Sequence, residues 1–508
     1  MARLHEYQGK ELLKALEISI PEGGPARSPG QAREITEELA CPVVVKGQAW
    51  VTGRAALGAI RFANTPQEAG EATTAILGLH IDGFQIDTVL VEEKLDVDKE
   101  FYAGLIIDDR TQAPVMIFSS QGGSGIEQIA REHPESIARE AIDVRRGLPE
   151  YQARNIVRQV DLHGKLQAGL GRMVSQLYQV ARRYDARAAE INPIVLTRSG
   201  SLYAADCRIT VDDNAVYRQP DLGIEVAREF DRPPSHLETV AWQVEKDDYR
   251  GTFYFIQLEH AFERGEGVIG FHGAGGGGSM MSMDAVLNRG YRLADFVDTS
   301  GNPPASKVYR AARIVLAQDG IDGYFASGSG VASQEQFHSA RGLVKAFMEV
   351  PLAVPAVIRL GGNAEDRAIA ILERARDEIR APVEGYGKDD SPEYCAERLD
   401  HLIRNFEPLS VVPTGWSRPE PQRPYSFATV TGGEVILDHE ACLDCASKIC
   451  VETCVPGILK LQDEVPVLNI TIEQAKKGGC NECLACEIEC SFEGNRGGYV
   501  NLPIAGLD

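Results

Sequence analysis

Eight of the eleven cysteines lie between Cys442 and Cys490, in two tight runs. The second run, Cys480, Cys483, Cys486 and Cys490, has the spacing C-x2-C-x2-C-x3-C, in which three thiolates surround one iron–sulfur cubane and the fourth reaches another. The first run, Cys442, Cys445, Cys450 and Cys454, reads C-x2-C-x4-C-x3-C, longer in the middle. The eight thiols predict two [4Fe-4S] clusters and a region that carries electrons. Paired zinc sites and a disulfide scaffold draw on the same residue type and are the alternatives. Disulfides fit poorly with an N-terminus, Met1-Ala-Arg-Leu-His, that leads straight into a charged amphipathic segment instead of a signal peptide. No long apolar stretch offers a membrane span. The expectation is a cytoplasmic chain with reduced thiols, in which Cys41, Cys207 and Cys395 are ordinary packing residues.

A net charge of -22 argues against a nucleic acid or an anionic membrane as partner, because no basic cluster or aromatic-interleaved basic stripe offsets it. The fifty glycines are clustered, marking loops where backbone must approach a phosphate or another backbone closely.

Organisation follows from changes in pattern. Residues 1–235 alternate apolar strand-like runs (Pro42 to Lys46, Thr88 to Glu92, Gly104 to Ile107, Pro114 to Phe118) with helical stretches such as Ser28 to Glu38 and Glu135 to Arg145, an α+β nucleotide-type domain in an α/β chain. Over residues 245–400 the pattern becomes strand, glycine-rich loop, helix, repeated. Gly267 to Phe271 precedes Gly273 to Gly278, Gly323 to Ala326 precedes Ser327 to Gly330, and Pro355 to Arg359 precedes Gly361 to Asn363. That repeat predicts a parallel, doubly wound sheet with loops lining a crevice at the strand ends. Residues 401–430 hold the proline-rich stretch Pro413 to Pro424, read as a linker. Residues 431–508 form a small cysteine-bearing module whose clusters would replace much of a missing core.

Three features of the first domain point to a nucleoside triphosphate. Lys46 ends an apolar strand and is followed by a loop containing Gly53 and Arg54, a phosphate-binding lysine beside a flexible cover. Glu92 and Glu100 flank a short connection, where carboxylates can accept hydrogen bonds from an adenine amino group and ribose hydroxyls. Asn192 and Asp206 suit Mg²⁺, which takes one or two protein oxygens and fills its shell with phosphate and water.

Taken in order, Leu4-His-Glu-Tyr-Gln8, Val43-Val-Val-Lys46, Leu90-Val-Glu92, Lys99 to Gly104, Glu190-Ile-Asn-Pro193, Arg218 to Asp221, Gly273-Ala-Gly275, Phe296-Val-Asp298 and Arg359 to Asn363 resemble the β subunits of succinate–CoA ligases and related ADP-forming acyl-CoA synthetases. The resemblance implies an ATP-grasp domain, then a flavodoxin-like CoA-ligase domain. Lys46 would contact phosphates, with Gly53 and Arg54 in the covering loop. Glu92 and Glu100 would hold adenosine, Asn192 and Asp206 Mg²⁺, and Glu190 would orient an incoming histidine. The implied reaction converts a small carboxylic acid, CoA and ATP to acyl-CoA, ADP and phosphate through an acyl phosphate and a phosphohistidine. That histidine sits on a CoA-binding α-type partner, and this chain has no Gly-His-Ala-Gly segment of its own.

The chain also departs from this pattern. Thr52-Gly-Arg-Ala-Ala56 stands where relatives carry Gly-Gly-Arg-Gly-Lys, which removes a cation and loop flexibility. His272 replaces an asparagine beside Gly-Ala-Gly, and Ser329-Gly-Val-Ala332 replaces Gly-Gly-Ile-Val, placing Gly330 and Val331 at the acid. His272 reads as a substrate contact, as a phosphoryl carrier or as a cap on the following helix.

Cys480-Asn-Glu-Cys-Leu-Ala-Cys486 followed by Arg496-Gly-Gly-Tyr499 is similar to the ferredoxin-like proteins that serve electron-transferring flavoproteins. The implied partner is a redox protein, an oxidoreductase or flavoprotein. The competing expectation is an electron-transfer subunit of a larger ATP-dependent reductase, with the ATP-grasp half regulatory or scaffolding.

Overall fold

The computed structural model describes residues 2–51, 53–81, 84–123, 131, 133–224, 232, 234–328, 330–407 and 420–507. They form two compact units, Met1–Pro234 and Ser235–Asp508. Among the described residues no helix is long and apolar enough to cross a membrane.

The first unit carries a large antiparallel sheet and a small one. In the large sheet the order is Ala2–Arg3, Cys207–Val211, Ala186–Thr197, Val97–Asp108, Ala113–Ser119, Ile137–Ala141. Its core is closed by helices Glu6–Ala15, Glu150–Arg158 and Gly164–Arg183, with Leu13, Leu170, Val174 and Leu177 buried. The small sheet runs Gly23–Ala26, Val89–Glu93, Val43–Gly47, Ile60–Ala63, covered by helices Pro29–Leu39 and Pro66–Leu77. Both helices begin with proline after a capping hydroxyl, Ser28 and Thr65, each accepting a backbone N–H of the first turn. Strand alternation puts Val43, Val45, Val89 and Val91 into the core and leaves Lys46 and Glu92 together on the opposite face.

The second unit is built on the sheet Tyr254–Gln257, Asp295–Asp298, Val268–Ala274, Gly323–Gly328, Ala356–Arg359, Val383–Tyr386. Tyr254–Gln257 is antiparallel to its neighbour and the other pairings on this path are parallel. Counted along the chain, the parallel strands stand in the order 2-1-3-4-5. Loops leaving Val268–Ala274 and its neighbours therefore part at a topological switch point, the usual place for a ligand crevice. Helices Gly276–Leu287 and Pro392–Asn405 cover one face, and Ala305–Leu316 and Phe337–Glu349 the other. Beyond these lie the antiparallel sheet Pro424–Ala428, Glu434–Asp438, Gly498–Asn501, the hairpin Leu459–Gln462 and Val465–Leu468, and helix Ala485–Glu493.

Three expectations are corrected. Glu135 to Arg145 is not a helix: a 3-10 turn at Pro134–Ser136 leads into strand Ile137–Ala141, which pairs with Ala113–Ser119. The buried residues Ala138 and Ile142 lie four apart, a spacing that serves a helix face and a strand face equally, and pairing with the sheet edge decides between them. The linker is shorter than residues 401–430, because helix Pro392–Asn405 enters it from one side and strand Pro424–Ala428 from the other; residues 408–419 lie outside the described residues. The cysteine-bearing module does not stand alone either. Its Phe427, Val435, Leu437, Ile488 and Val500 share one continuous core with Val308, Leu343 and Phe347 of the helices on the parallel sheet.

Candidate functional site

In the first unit the structure gathers Lys46, Arg54, Glu92 and Asp206, with two residues that sequence reasoning gave no role, Glu6 and Lys10. Strand Ala2–Arg3 pairs with Cys207–Val211, so the helix that follows starts beside Asp206. Lys46 Nζ donates to Glu6 Oε1 at 2.7 Å and to the Ala205 carbonyl at 2.7 Å, and lies 2.9 Å from Glu92 Oε2. Lys10 Nζ meets both oxygens of Glu92, at 2.6 and 2.7 Å, and lies 3.0 Å from Glu6. Arg54 Nη2 reaches Glu6 Oε2 and Asp206 Oδ2, each at 2.7 Å, while Nη1 donates to the Gly47 carbonyl at 3.1 Å. Gly53 beside it has φ +70°, a left-handed conformation suited to glycine.

Three carboxylates and three cations thus neutralise one another. Burial opposes ionisation of Glu6, yet Lys10, Lys46 and Arg54 hold its carboxyl well below the usual range. Asp206 is pushed up, first by burial and then by the Glu6 carboxylate, against the pull of Arg54 and Lys46. Burial also opposes the charge on Lys46, but Glu6 and Glu92 raise its pKa above the ordinary lysine value.

Asn192 and Asp206 are neighbours across adjacent chain segments, with the Asn192 N–H donating to the Asp206 carbonyl at 3.0 Å. Asn192 Oδ1 accepts from the Gly123 N–H at 2.8 Å. Gly123 also lies against Glu100, and a Cβ there would stand 2.9 Å from Glu100 Oε2. Glu100 therefore shares a corner with Asn192, whereas Glu92 sits in the buried charge cluster. Glu190 is half-buried on strand Ala186–Thr197, two residues before Asn192 and opposite Arg208 and Gly104.

In the second unit Gly273-Ala-Gly275 ends strand Val268–Ala274 at the switch point. A Cβ on Gly273 would meet the Val297 carbonyl at 2.7 Å and Ser279 Oγ at 2.5 Å, so only glycine fits. The Gly275 N–H donates to Asp298 Oδ1 at 2.9 Å. Arg359 ties the neighbouring loops by donating to the carbonyls of Gly328, Lys388 and Asp390. Gly330, at φ +75°, leaves room for the Arg359 guanidinium, and Val331 is 82% exposed. Ser329, and Thr52 in the first unit, lie outside the described residues.

Comparison with known proteins gives this geometry its context. A family model described as an ATP-grasp domain matches residues 3–196. The β subunit of the GDP-forming succinate–CoA ligase of Thermus thermophilus is 38% identical over 370 residues, 73% of this chain and 93% of that protein. The chain belongs to the succinate–CoA ligase β-subunit family. The β subunit of the ADP-forming succinate–CoA ligase of Methanothermobacter thermautotrophicus is 33% identical over 404 residues, 80% of this chain and all of that protein. Among solved structures, ATP citrate lyase from Methanothrix soehngenii, in complex with citrate and coenzyme A, superposes with TM-score 0.61 at 18% identity, covering 79% of this chain and 99% of that one. That likeness speaks to the fold alone. As a member of this family the chain is a subunit of an acid–thiol ligase, a heteromeric enzyme.

Against that family frame His272 occupies an unexpected place. It is buried on the sheet face that carries Tyr324, with Nδ1 2.6 Å from the Tyr324 hydroxyl. Burial lowers its pKa to about 3, so the ring is neutral across the physiological range. A ring enclosed in this way does not face solvent as a phosphoryl carrier would, and it does not cap the helix that follows.

The eight tail cysteines divide by position rather than by run. Cys442, Cys445, Cys450 and Cys490 line one small pocket with Lys448 and Asn495. The thiols acting most strongly on Cys486 are Cys483, Cys480 and Cys454. Each run thus lends its fourth cysteine to the other's first three. Two features accommodate the longer spacing of the first run. Lys448 takes φ +47° at the start of helix Ile449–Glu452, and its ammonium binds the carbonyls of Cys442, Leu443 and Glu464. Burial, then neighbouring thiols, push Cys442 and Cys450 up to about 12. Among the described residues no three His, Cys, Asp or Glu side chains converge on a single metal ion.

Proposed function

We propose that this chain is the nucleotide- and acid-handling subunit of an ADP-forming acid–CoA ligase whose C-terminal region carries two [4Fe-4S] clusters. The observation that carries the reading is the charge cluster around Lys46, Arg54 and Asp206, with Asn192 and Glu100 alongside, at the end of an ATP-grasp sheet. A small carboxylic acid, CoA and ATP go to acyl-CoA, ADP and phosphate through an acyl phosphate and a histidine phosphorylated on a CoA-binding α-type partner.

Lys46 and Arg54 bind and orient the triphosphate. Glu100 accepts hydrogen bonds from the nucleoside, and Glu92 fixes Lys46. Asn192 Oδ1 and the Asp206 carboxylate are hard oxygen donors from two residues whose backbones are hydrogen-bonded, and they would hold Mg²⁺, which supplies positive charge against the phosphates when bound. Glu190 orients the partner's histidine. Asp298 and the Gly273 to Gly275 backbone shape the acid side, with Gly330 and Val331 at its rim. Cys442, Cys445 and Cys450 with Cys490, and Cys480, Cys483 and Cys486 with Cys454, would hold the two cubanes, and binding them would release the protons that the buried thiols hold. So loaded, the tail would exchange electrons with an oxidoreductase or flavoprotein.

Reconstitution with an α-type partner tests this. Acid- and CoA-dependent formation of ADP and phosphate is expected, and Asp206→Asn abolishes it by removing an anionic ligand. Complete ligation by this chain alone would overturn the division of labour. A second reading, an electron-transfer subunit with a regulatory ATP-grasp half, is favoured by one observation: Arg54 already occupies Asp206. ATP binding without turnover in the reconstituted complex, with electron transfer responding to ATP, would select it.

A further inference from the structure

We infer that Arg54 is a gate on the metal position, held shut by Glu6 until a triphosphate draws it away. The inference deepens, and rests on, the nucleotide reading of this site. One guanidinium nitrogen, Nη2, donates to Glu6 Oε2 and Asp206 Oδ2 at once, and the Gly47 carbonyl takes Nη1. One of the two Asp206 carboxylate oxygens, Oδ2, is therefore already taken by a guanidinium, whose charge would stand beside any cation held by the other. Glu6 is the hub of this state. It spans Arg54 and Lys46 with its two oxygens while Lys10, one helical turn on, supports it from behind. Lys10 has its own anchors, Glu92 and the Ala205 carbonyl, and so stays as the resident counter-charge when the other two cations turn to a ligand.

An order of events follows. A bare divalent cation must break a charge-assisted hydrogen bond and face a guanidinium a few ångströms away, so it enters poorly. A triphosphate brings several acceptor oxygens for Arg54 and Lys46 and releases Asp206 in the same movement. Metal and nucleotide therefore enter together, and the site does not load metal first. Glu6 and Lys10 are positioning residues here, acting through Arg54 and Lys46.

The test is Mn²⁺ titration of the full-length chain, read by the electron paramagnetic resonance of free Mn²⁺, with ATP binding followed by calorimetry. Wild type should bind Mn²⁺ weakly without nucleotide and more tightly with ATP. Arg54→Gln should raise nucleotide-free Mn²⁺ affinity by about tenfold or more, the size expected for losing a hydrogen bond between ionised groups, and should lower ATP affinity. Glu6→Gln, which removes one leg of the clasp, should give a smaller gain in the same direction. If Arg54→Gln does not fold, Arg54→Lys, which keeps the charge and loses the fork, should show the smaller gain. A merely structural Arg54 would lower Mn²⁺ affinity when replaced, and unchanged or lower affinity in these variants overturns the gate. Failure of ATP to bind the wild type removes the nucleotide reading and with it the opening step, whereas the clasp of Arg54 on Asp206 is judged separately by the nucleotide-free Mn²⁺ titrations.

Discussion

Lys345 Nζ lies 2.9 Å from both carboxylate oxygens of Glu487, and neither side chain reaches solvent. Two further pairs repeat the arrangement: Arg341 with Glu489 at 2.6 Å, and Arg310 with Glu482 at 3.9 Å. The three cations come from the helices covering the parallel sheet. Each carboxylate is a sequence neighbour of a tail cysteine: Glu482 of Cys483, Glu487 of Cys486 and Glu489 of Cys490. The cysteine-bearing segment is thus anchored by charge as well as by apolar packing, and Phe347, on the helix of Arg341 and Lys345, continues the contact to Tyr324 at a ring distance of 5.1 Å.

Removing one member of such a pair leaves an uncompensated buried charge, at a cost of about 3–5 kcal/mol. Lys345→Met should therefore lower the denaturation midpoint of the second unit strongly, even though Lys345 also meets Glu349 at 2.7 Å. Lys345→Met combined with Glu487→Leu should recover much of that loss, as seen by chemical denaturation of the anaerobic protein. A Lys345→Met variant as stable as wild type would mean that the pair contributes nothing.

Anaerobically purified protein should hold about eight iron atoms per chain, two cubanes of four, and no stoichiometric zinc. Because Cys454 and Cys490 cross between the runs, Cys490→Ser should perturb the cluster of Cys442, Cys445 and Cys450. Cys454→Ser should perturb that of Cys480, Cys483 and Cys486. Metal analysis and electron paramagnetic resonance of the reduced variants decide this; about four irons in the wild type would remove one cluster.

The sequence was most legible where one residue type has one use. The strands bearing Lys46 and Glu92 were readable because each is a short apolar run, Val43-Val-Val and Val89-Leu-Val, that ends in the charged residue. The switch-point loop was readable because glycine is forced at Gly273 by the Val297 carbonyl. What stayed hidden needed the third dimension. Glu6 and Lys10 stand four apart on an amphipathic helix, a pattern that usually means an exposed pair, and only the pairing of Ala2–Arg3 with Cys207–Val211 turns them inward. Leu4-His-Glu-Tyr-Gln8 carried a family resemblance without saying what Glu6 does. The burial of His272 was illegible for the same reason, since its partner Tyr324 lies fifty-two residues away on the adjacent strand.

Asp295 gives a pH-dependent stability with a definite sign. It is fully buried, Oδ1 accepts from Gln318 Nε2 at 2.7 Å, and burial raises its pKa from 3.8 to about 8. The folded state therefore holds a proton that the unfolded state has lost, and the stabilisation present below about pH 4 is lost as pH rises through about 8. Asp295→Asn mimics the neutral acid and should remove this term. The stability of wild type relative to the variant should fall by about 1.4 kcal/mol per pH unit between those limits. A pH-independent difference would show Asp295 to be ionised when folded.

His272 runs the opposite way. Its folded pKa of about 3 lies below the ordinary 6.5, so the unfolded chain takes up a proton that the buried ring refuses, and stability should fall as pH drops below about 6.5. In function, its 2.6 Å contact with Tyr324 sets the end of the strand that leads into Gly273. His272→Asn should therefore change the relative rates of candidate acids more than it changes ATP binding, because a loop placed to pair one polar group discriminates against acids that leave it unpaired. Phosphate from γ-labelled ATP should appear on the partner's histidine and not on His272. Label on His272 would reassign it as the carrier and require the Tyr324 contact to open during turnover. An unchanged acid profile in His272→Asn would leave the ring a role in packing alone.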